Sequence, residues 1–408
     1  MTAPLRAVLT VGTLALLAAL APGHDSSART GGGATAAARV QSTLLVSRAR
    51  GGGLPNGAST NAVISGDRRF VRAIAFESAA SNLVRGDRNG KKDVFVVTRG
   101  NHPNNRGTRW KPGRNILISR SRSGRSGNGP SYSPSIGGGF DTPPRCVGFL
   151  SAASNLVRGD RDRQPDAFLA RVHGGGLVRL RARGRQPRGP ATAVAVSGDC
   201  SHIVFIKGGK LYLSKGGAPA SRVRTPAHPA DPSFATGRPN SFVFGARGGI
   251  YLSRHGERPH RVARGGRNPA YQSLHGDPHP GAGWPTLAYE RKIHGHWQIV
   301  RRRLGRREQV LTRGNGESHN PVLGNKGFYV VFESDAEDDS GQVNVFLYTK
   351  VRDLTLLESV RNEGTSFPGA SRNPSMSYYA NYIVFDATGR TSSGAAGRQI
   401  YMRYLGGV

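Results

Sequence analysis

Helical periodicity is nearly absent from this sequence. After the first 21 residues, no segment of about a dozen residues places apolar side chains at the three- and four-residue spacing of an amphipathic helix. Glycine and proline are instead frequent, at 57 and 25 of 408 residues, against average usage of about 7% and 5%. The missing helical pattern and the surplus of turn-forming residues predict an all-β chain with many tight turns.

Long apolar runs are also missing, apart from one at the N-terminus. Ala7–Ala21 follows a single arginine, Arg6, and is shorter than the roughly 20 residues that a membrane-spanning helix needs. Such a run is typical of a secretory signal peptide, which we place at residues 1–28 with cleavage between residues 21 and 38. The composition of residues 29–39 predicts a disordered linker. We therefore expect a secreted or extracytoplasmic protein with no membrane span after cleavage; the alternative is an uncleaved N-terminal anchor.

Acidic residues are scarce. The chain has 25 Asp and Glu residues against 58 Lys and Arg residues, for a formal net charge of +33. A charge of this size attracts polyanions and raises the rate at which they meet the protein. For an exported protein these are cell-wall or capsular polymers and anionic lipid head groups; in the cytoplasm nucleic acid takes their place. The other interpretation is that the arginines serve general surface solvation.

The arginines cluster in three stretches of the sequence. One stretch is Arg114–Arg125. The candidate polyanion-binding residues of the other two are Arg179, Arg181, Arg183, Arg185, Arg301, Arg302, Arg303, Arg306 and Arg307. Aromatic side chains do not alternate with these arginines, as they do in proteins that stack single-stranded bases. The pattern therefore disfavours nucleic acid, which stays an alternative if the protein is not exported.

Catalytic motifs are missing as well. The chain has no G-x-S-x-G motif after a β-type run, no H-E-x-x-H and no phosphate-binding G-x-x-x-x-G-K-[ST]. These absences favour a non-catalytic protein that needs no cofactor. A pair of carboxylates that hydrolyses glycosides needs no local motif. An enzyme that acts on a polysaccharide or a lactone therefore remains the alternative.

What the chain does contain is a repeat. The sequence SAASNLVRGD occurs at Ser78–Asp87 and again, letter for letter, at Ser151–Asp160. In both copies a short apolar run with an aromatic residue precedes this box and a second β-type run follows it, which predicts a β-hairpin. Fainter copies share the aromatic residue. The seven aromatic positions are Phe76, Phe149, Phe205, Phe244, Tyr289, Phe332 and Phe385.

The spacing of these seven positions predicts a β-propeller. The later copies lie close to the roughly 40–45 residues of a four-stranded blade, and the first two carry insertions. Residues 40–408 therefore form seven blades, or six if one divergent copy is an insertion. A lone β-type run, Gln41–Arg48, precedes the first copy, and the last copy lacks a fourth strand. We expect this N-terminal strand to complete the last blade and close the ring, which removes exposed strand edges.

Three motifs carry a resemblance to a known family. They are Ser65-Gly66-Asp67, Phe76-Glu77-Ser78 and Asp93-Val94-Phe95, with a further copy of the first at Ser197-Gly198-Asp199. In this order they resemble the TolB-type, WD-like β-propeller repeats of secreted bacterial proteins. The resemblance implies a binding or scaffolding module whose partner is a protein or an anionic envelope polymer, and we expect a monomer.

Two acidic loops are candidate metal sites. Asp87, Asn89 and Asp93 in one loop, and Asp160, Asp162 and Asp166 in the other, place oxygens at loop positions 1, 3 and 7. An EF-hand loop has its first ligands at 1, 3 and 5 and a glutamate at 12, and neither loop has an acid at 5 or 12. The favoured interpretation is an Asx-turn that closes the hairpin. A Ca²⁺ site is the alternative.

The chain has two cysteines, Cys146 and Cys200. They lie three and five residues before the aromatic positions Phe149 and Phe205, and so at nearly equivalent places in neighbouring repeats. Packed blades could bring their Cα atoms within the roughly 4.4–6.8 Å that a disulfide allows, and export would supply oxidising conditions. The cysteines are therefore a disulfide candidate; two free, half-buried thiols are the alternative.

Overall fold

A computed structural model describes most of the propeller region. The described residues are 41–67, 70–102, 108–139, 143–174, 176–235, 238–254, 257–272, 285–324, 327–338 and 340–406. The predicted signal peptide (1–28) and linker (29–39) lie outside them. Within these ranges, no helix has the length and apolar character that crossing a membrane requires.

The described residues form seven four-stranded antiparallel sheets, so the prediction of a seven-bladed, all-β propeller is confirmed. Blade 7 begins the chain with its outer strand β1 (Ser42–Leu45). Blades 1 and 2 contain β2 (Ser59–Ile64), β3 (Ala73–Ser78), β4 (Asp93–Arg99), β5 (Pro112–Leu117), β6 (Ser131–Ile136), β7 (Cys146–Ser151), β8 (Asp166–Arg171) and β9 (Leu177–Arg179). Blades 3 and 4 contain β10 (Ala191–Val196), β11 (His202–Lys207), β12 (Lys210–Lys215), β13 (Ser221–Arg222), β14 (Ala230–Ala235), β15 (Arg238–Ala246), β16 (Gly249–Arg254) and β17 (His260–Arg264).

The remaining blades complete the ring. Blades 5 and 6 contain β18 (Arg267–Gln272), β19 (Thr286–Ile293), β20 (His296–Arg303), β21 (Glu308–Val310), β22 (Ser318–Gly324), β23 (Tyr329–Ser334), β24 (Asn344–Thr349) and β25 (Leu354–Leu357). Blade 7 adds β26 (Arg372–Met376), β27 (Tyr382–Arg390) and β28 (Ala396–Tyr404) to β1. The inner strands β2, β6, β10, β14, β18, β22 and β26 contact one another in cyclic order.

The N-terminal strand closes the ring as predicted. Strand β1 pairs antiparallel with β28, with Ser42 opposite Tyr404 and Leu45 opposite Tyr401. Just past β1, the Val46 amide donates to the Ile400 carbonyl at 2.8 Å. The first and last described strands thus cover one another's edges, and blade 7 needs both ends of the chain.

The core lies between neighbouring blades. The second strands β3, β7 and β23 are buried along their whole length, which requires continuous apolar runs rather than alternation. In six of the seven blades, the predicted aromatic residue of the second strand lies opposite an aromatic residue of the third strand, as Phe76 does with Phe95 at a ring distance of 5.9 Å and Phe149 with Phe168 at 5.5 Å. In blade 5, Tyr289 lies opposite Val300. Each fully buried aromatic side chain contributes about 1.5–3 kcal/mol.

Every inner strand carries a β-bulge near its start. At four of these bulges, a buried carboxylate from the preceding blade accepts the bulge amide: Glu77 from Ser133 at 3.0 Å, Glu290 from Asn320 at 2.9 Å, Glu333 from Asn373 at 2.6 Å, and Asp386 from Asn61 at 3.0 Å. We call these four acids the junction carboxylates. All four follow the predicted aromatic residue of their second strand. They join blades 5, 6, 7, 1 and 2.

The junction between blades 2 and 3 is built differently. Leu150 stands where blade 1 has Glu77, directly after the aromatic residue of its strand. Here the structure joins Cys146 of β7 to Cys200 of the β10–β11 turn in a disulfide, with Cα atoms 6.0 Å apart. The Lys207 ammonium of blade 3 also contacts the Asp166 carboxylate of blade 2. A covalent bond and an ion pair thus hold this junction in place of a carboxylate.

Candidate basic groove

The central channel is lined mainly by small and apolar residues in the part of the chain that the structure describes. Its narrow cavity of about 230 Å³ is lined by inner-strand residues from all seven blades. These are small or apolar, apart from Gln272, Tyr271, Tyr378 and a few serines. No carboxylate, histidine, lysine or arginine lines it. The carboxylate pair of a glycosidase therefore finds no counterpart among these lining residues.

A group of basic residues without acidic neighbours in the lining lies instead at the outer edge of blade 1. A cavity of about 780 Å³ is bordered by the end of blade 7, by blade 1 and by the segment that follows β8 of blade 2. Its basic lining residues are Arg48, Arg50, Arg85, Arg114 and His173, all exposed. No carboxylate lines it.

A second cavity of about 210 Å³ adjoins the first, because Ile116 lines both. Its basic residues are Arg120, Arg122 and Arg171, again exposed and without an acidic lining residue. We call the two cavities together the blade-1 groove, with seven arginines and one histidine. Within the described ranges, none of these arginines forms an ion pair with a carboxylate.

The repeat box holds the groove in shape. In the first SAASNLVRGD box, the main-chain carbonyl of Asn82 accepts a hydrogen bond from the Arg50 amide at 2.9 Å. The side-chain amide of Asn82 donates to the Leu54 carbonyl at 3.2 Å. On the opposite wall, the Asn115 amide donates to the carbonyls of Arg48 at 2.7 Å and Leu83 at 3.2 Å. Three segments that are distant in sequence are thereby held side by side.

Two glycines make the turn that presents Arg48 and Arg50. Gly51 and Gly52 have φ values of +102° and +97°, a region that glycine adopts without the strain other residues meet. The Arg48 side chain donates to the Gly52 carbonyl at 3.0 Å, so this turn also orients one of the guanidinium groups of the groove.

The candidate arginines from the sequence lie elsewhere and do not form one surface. Arg179 is half-buried in ion pairs, and Arg301 is buried with its Nε donating to the Gly327 carbonyl at 2.6 Å. Arg302 lies in blade 5 and bonds the Val262 carbonyl at 2.8 Å. Arg303 lies in the same strand β20. The exposed candidates are Arg181, Arg183 and Arg185 between blades 2 and 3, and Arg306 and Arg307 on blade 5.

Most residues of the groove could not be predicted from the sequence. Arg48, Arg85 and Arg171 belong to none of the three arginine stretches of the sequence, and they border one groove only because blades 7, 1 and 2 are adjacent in the ring. The stretch Arg114–Arg125 was the one available signal, and it supplies Arg114, Arg120 and Arg122 to the groove.

Both acidic loops contain the predicted Asx-turn bonds. The Lys91 amide donates to the Asn89 side chain at 2.8 Å, and the Gln164 amide to Asp162 at 3.1 Å. In the blade 2 loop, the ligand oxygens of Asp160, Asp162 and Asp166 lie within 4.8 Å of one another. Arg179 Nη1 lies 3.1 Å from both Asp160 and Asp166. The protein's own cations therefore take up this cluster's charge, together with Lys207.

Comparison with known proteins gives similarity at the level of fold. No family model matches the chain, and no curated protein matches it. Among solved structures it is similar to TolB from Acinetobacter baumannii, with 14% identity over 77% of this chain and 76% of that one, at a TM-score of 0.42. The β-propeller domain of the Trilobed protease from Pyrococcus furiosus has 10% identity over 85% and 96% at 0.48. An oligogalacturonate lyase from Vibrio parahaemolyticus has 10% over 86% and 91% at 0.49. The TolB-type propeller expected from the repeats is thus among the folds that this chain resembles.

Proposed function

We propose that this protein is an exported, non-catalytic propeller that binds an anionic polymer of the cell envelope in the blade-1 groove. One observation carries the proposal: seven arginines and a histidine line the groove, without a carboxylate among the lining residues. Because none of these arginines has an ion-pair partner among the described residues, the groove is an unneutralised positive surface.

The chemistry of the groove suits phosphate or carboxylate groups. Guanidinium groups form charge-assisted, often bidentate hydrogen bonds with both anions. Because the arginines are exposed, their attraction is screened by salt within about 10 Å at 0.1 M. Several weak contacts along a repeating anion, rather than one deep pocket, are therefore the mode of binding that fits. The channel lining, free of acids and histidines among the described residues, supports binding over hydrolysis of a polysaccharide or lactone.

The test compares two triple variants that remove the same charge. Arg48, Arg50 and Arg114 in the groove are changed to serine in one, and the exposed Arg185, Arg306 and Arg307 in the other. Binding of the full-length protein to poly(glycerol phosphate), polygalacturonate and neutral dextran is measured over a salt series. We expect the groove variant to bind the anionic polymers at least about tenfold more weakly and with a shallower salt dependence, in keeping with lost ionic contacts.

Two outcomes would contradict the proposal. Equal losses in both triple variants would mean that net charge alone attracts the polymers, and equal binding of dextran would mean that charge is not recognised at all.

Export is tested separately, by fractionating cells and reading the N-terminus of the mature chain by mass spectrometry. A new N-terminus between residues 21 and 38 is the expected result, and an intact Met1 in the cytoplasm would make nucleic acid the partner to test.

A further inference from the structure

Four blades share a hydrogen-bonded frame at the start of the third strand. A side-chain oxygen there accepts a hydrogen bond from the hydroxyl of a Ser or Thr that lies just beyond the outer strand. That hydroxyl oxygen in turn accepts a hydrogen bond from a main-chain amide of the third strand. The pairs are Asp93 with Ser119 at 2.6 Å, Gln298 with Thr312 at 2.7 Å, Asn344 with Ser359 at 3.0 Å and Gln399 with Ser47 at 2.9 Å. Three blades therefore build this frame with a neutral amide, whereas blade 1 uses a carboxylate.

The carboxylate of blade 1 is not alone in its loop. Asp87, which is 5% exposed, lies close enough for its charge to act on Asp93. The Ser126 hydroxyl and the Asn89 amide bond the Asp87 carboxylate, yet its Oδ1 is buried without a hydrogen-bond partner. Burial raises the pKa of Asp93 to about 7, and the neighbouring charge of Asp87 adds to it. Two buried acids thus share one loop.

No protein cation neutralises this pair in the described structure. The nearby Lys92 is bonded to Glu77 at 3.0 Å instead, and the side chains of Arg88 and Lys91 are exposed. Ion pairs within 4.0 Å involve neither Asp87 nor Asp93 among the residues described. Buried charge without a partner is costly, and this acid pair has no neutralising ion-pair partner among the described residues.

The matching loops of two other blades solve the same problem internally. In blade 6, Asn344 replaces the acid and donates its amide to Asp338 at 3.0 Å. In blade 2, Arg179 reaches the acid pair from strand β9. The position of Arg179, opposite Phe168, is taken in blade 1 by Leu117, opposite Phe95. Blade 1 therefore has the same pair of acids as blade 2 but lacks the arginine that neutralises them.

We propose that the blade-1 loop binds a calcium ion through the carboxylates of Asp87 and Asp93. The Asn89 amide nitrogen lies 2.6 Å from Asp93 Oδ2 and 2.9 Å from the Gly127 carbonyl. The Asn89 oxygen accepts the Lys91 amide. The oxygens that the loop offers are therefore those of the two carboxylates and the Gly127 carbonyl, where a bound ion would take the place of the Asn89 donor. An all-oxygen donor set suits Ca²⁺, and the absence of histidine and thiol from it disfavours zinc.

The expected affinity is that of an extracellular module, with a dissociation constant of about 10⁻⁴–10⁻³ M. Arg88 and Lys91 on the loop surface repel a cation, and the loop has two acidic ligands where high-affinity sites have more. A weak site of this kind is filled where free calcium is millimolar.

The experiment titrates the full-length, chelator-treated protein with calcium chloride and, separately, magnesium chloride, by calorimetry and thermal unfolding. We expect one Ca²⁺ per chain and a rise in melting temperature that a chelator reverses. Asp93→Asn should weaken binding at least about tenfold and abolish the rise in melting temperature. Because blade 6 builds the same frame with asparagine, this variant keeps its fold. Asp162→Asn, in the exposed part of the matching blade 2 loop, is the control and should bind calcium like the parent protein.

A second variant tests the comparison from the other side. Leu117→Arg supplies the guanidinium that blade 2 has, and we expect it to exclude calcium without any change to a ligand. If this variant fails to fold, Asp93→Asn decides the question alone. The proposal is overturned if the parent protein binds no calcium at up to about 10 mM, if Asp93→Asn binds like the parent, or if Asp162→Asn abolishes binding.

Discussion

From blade 5 round to blade 2, each blade is joined to the next by a buried carboxylate, whereas blades 2 and 3 are joined by a disulfide. Glu77, Glu290, Glu333 and Asp386 accept a backbone amide of the following blade. At the junction after blade 2 an apolar residue, Leu150, takes their place. Both arrangements start from the second strand of one blade. The carboxylates reach the first strand of the next blade, whereas the disulfide reaches the turn that follows that strand.

The difference reaches the backbone of the following blade. Asn320 and Asn373, whose amides bond junction carboxylates, have φ values of +52°, a conformation that non-glycine residues rarely adopt. Blade 3 has its bulge between Ala191 and Ala193, and Thr192 within it is not in the left-handed region. At four junctions the carboxylate therefore accepts the amide of a left-handed bulge residue, and blade 3, whose bulge lacks that conformation, follows a blade without such a carboxylate. Blade 4 is an intermediate case, since its left-handed Asp231 itself accepts the amide of Asn268.

The largest effect is expected from breaking the disulfide. Replacing Cys146 and Cys200 by serine removes a cross-link between positions 54 residues apart, which the chain-entropy estimate values at about 4 kcal/mol. The free energy of unfolding, measured by urea titration, should fall by about this amount. Reduction of the parent protein should lower it equally, because both treatments remove the same constraint.

Reduction is also the control for this prediction. A serine variant that is much less stable than the reduced parent protein would mean that the hydroxyl groups, and not the missing cross-link, cause the loss. No loss in either case would show that Lys207 and Asp166, with the packed strands, are sufficient to hold blades 2 and 3.

A smaller effect is expected from converting a carboxylate junction into the blade 2 type. Glu333→Leu places at blade 6 the residue that blade 2 has at Leu150. It leaves the Asn373 amide and the Asn320 side chain without the acceptor that they have at 2.6 and 2.9 Å. Unpartnered buried donors cost about 1–3 kcal/mol each, so we expect a loss of about 2–3 kcal/mol in urea titration. Leu150→Met, a volume-conserving change at the junction without a carboxylate, should cost less than about 1.5 kcal/mol; equal losses would refute the role of the junction carboxylate.

The fold could be predicted from the sequence because each blade repeats a local pattern. The SAASNLVRGD box and the aromatic positions mark the second and third strands, and Gln41–Arg48 is recognisable as a strand without a partner. The equivalent places of Cys146 and Cys200 in adjacent repeats made them a disulfide candidate, with free thiols as the alternative, and the structure joins them. Pairing between strands that are neighbours in the sequence determines most of these features, so short apolar runs and turn residues in the sequence are enough to predict them.

The blade-1 groove and the junction carboxylates could not be predicted in the same way. Arg48 borders the groove from the end of blade 7 and Arg171 from blade 2, and no spacing in the sequence encodes that the two line the same groove. Glu77 is visible in the motif Phe76-Glu77-Ser78, but its partner is a main-chain amide of the next blade, which has no residue signature. The charge of the acidic loops was also misleading on its own, because Arg179 neutralises one pair and Leu117 leaves the other alone.

The smallest effect separates two of the junction carboxylates by their response to pH. Burial alone would raise the pKa of Glu290, but hydrogen bonds from His319, Asn320, Asn268 and Arg267 lower it to about 2. Burial raises the pKa of Glu333, and its bonds to Asn373 and Asn320 offset only part of this. The two acids occupy the same place in neighbouring blades, so the number and charge of their hydrogen-bond donors decide whether the pKa is lowered or raised.

Because the two pKa values shift in opposite directions, the two acids should affect the pH dependence of the free energy of unfolding in opposite ways. Urea titrations repeated from about pH 3 to 7.5 measure this dependence. Glu290 contributes stability above its unfolded pKa of 4.5, and this is lost as pH falls toward 2, with about 1 kcal/mol gone by about pH 3.5. Glu333 contributes stability that is complete below its unfolded pKa of 4.5 and is lost as pH rises through its folded pKa. Glu290→Gln should therefore flatten the acid side of the profile, and Glu333→Gln the side toward neutral pH. If both variants flatten the same side, the donors around each acid do not control its titration, and the four junction carboxylates act as one kind of bond.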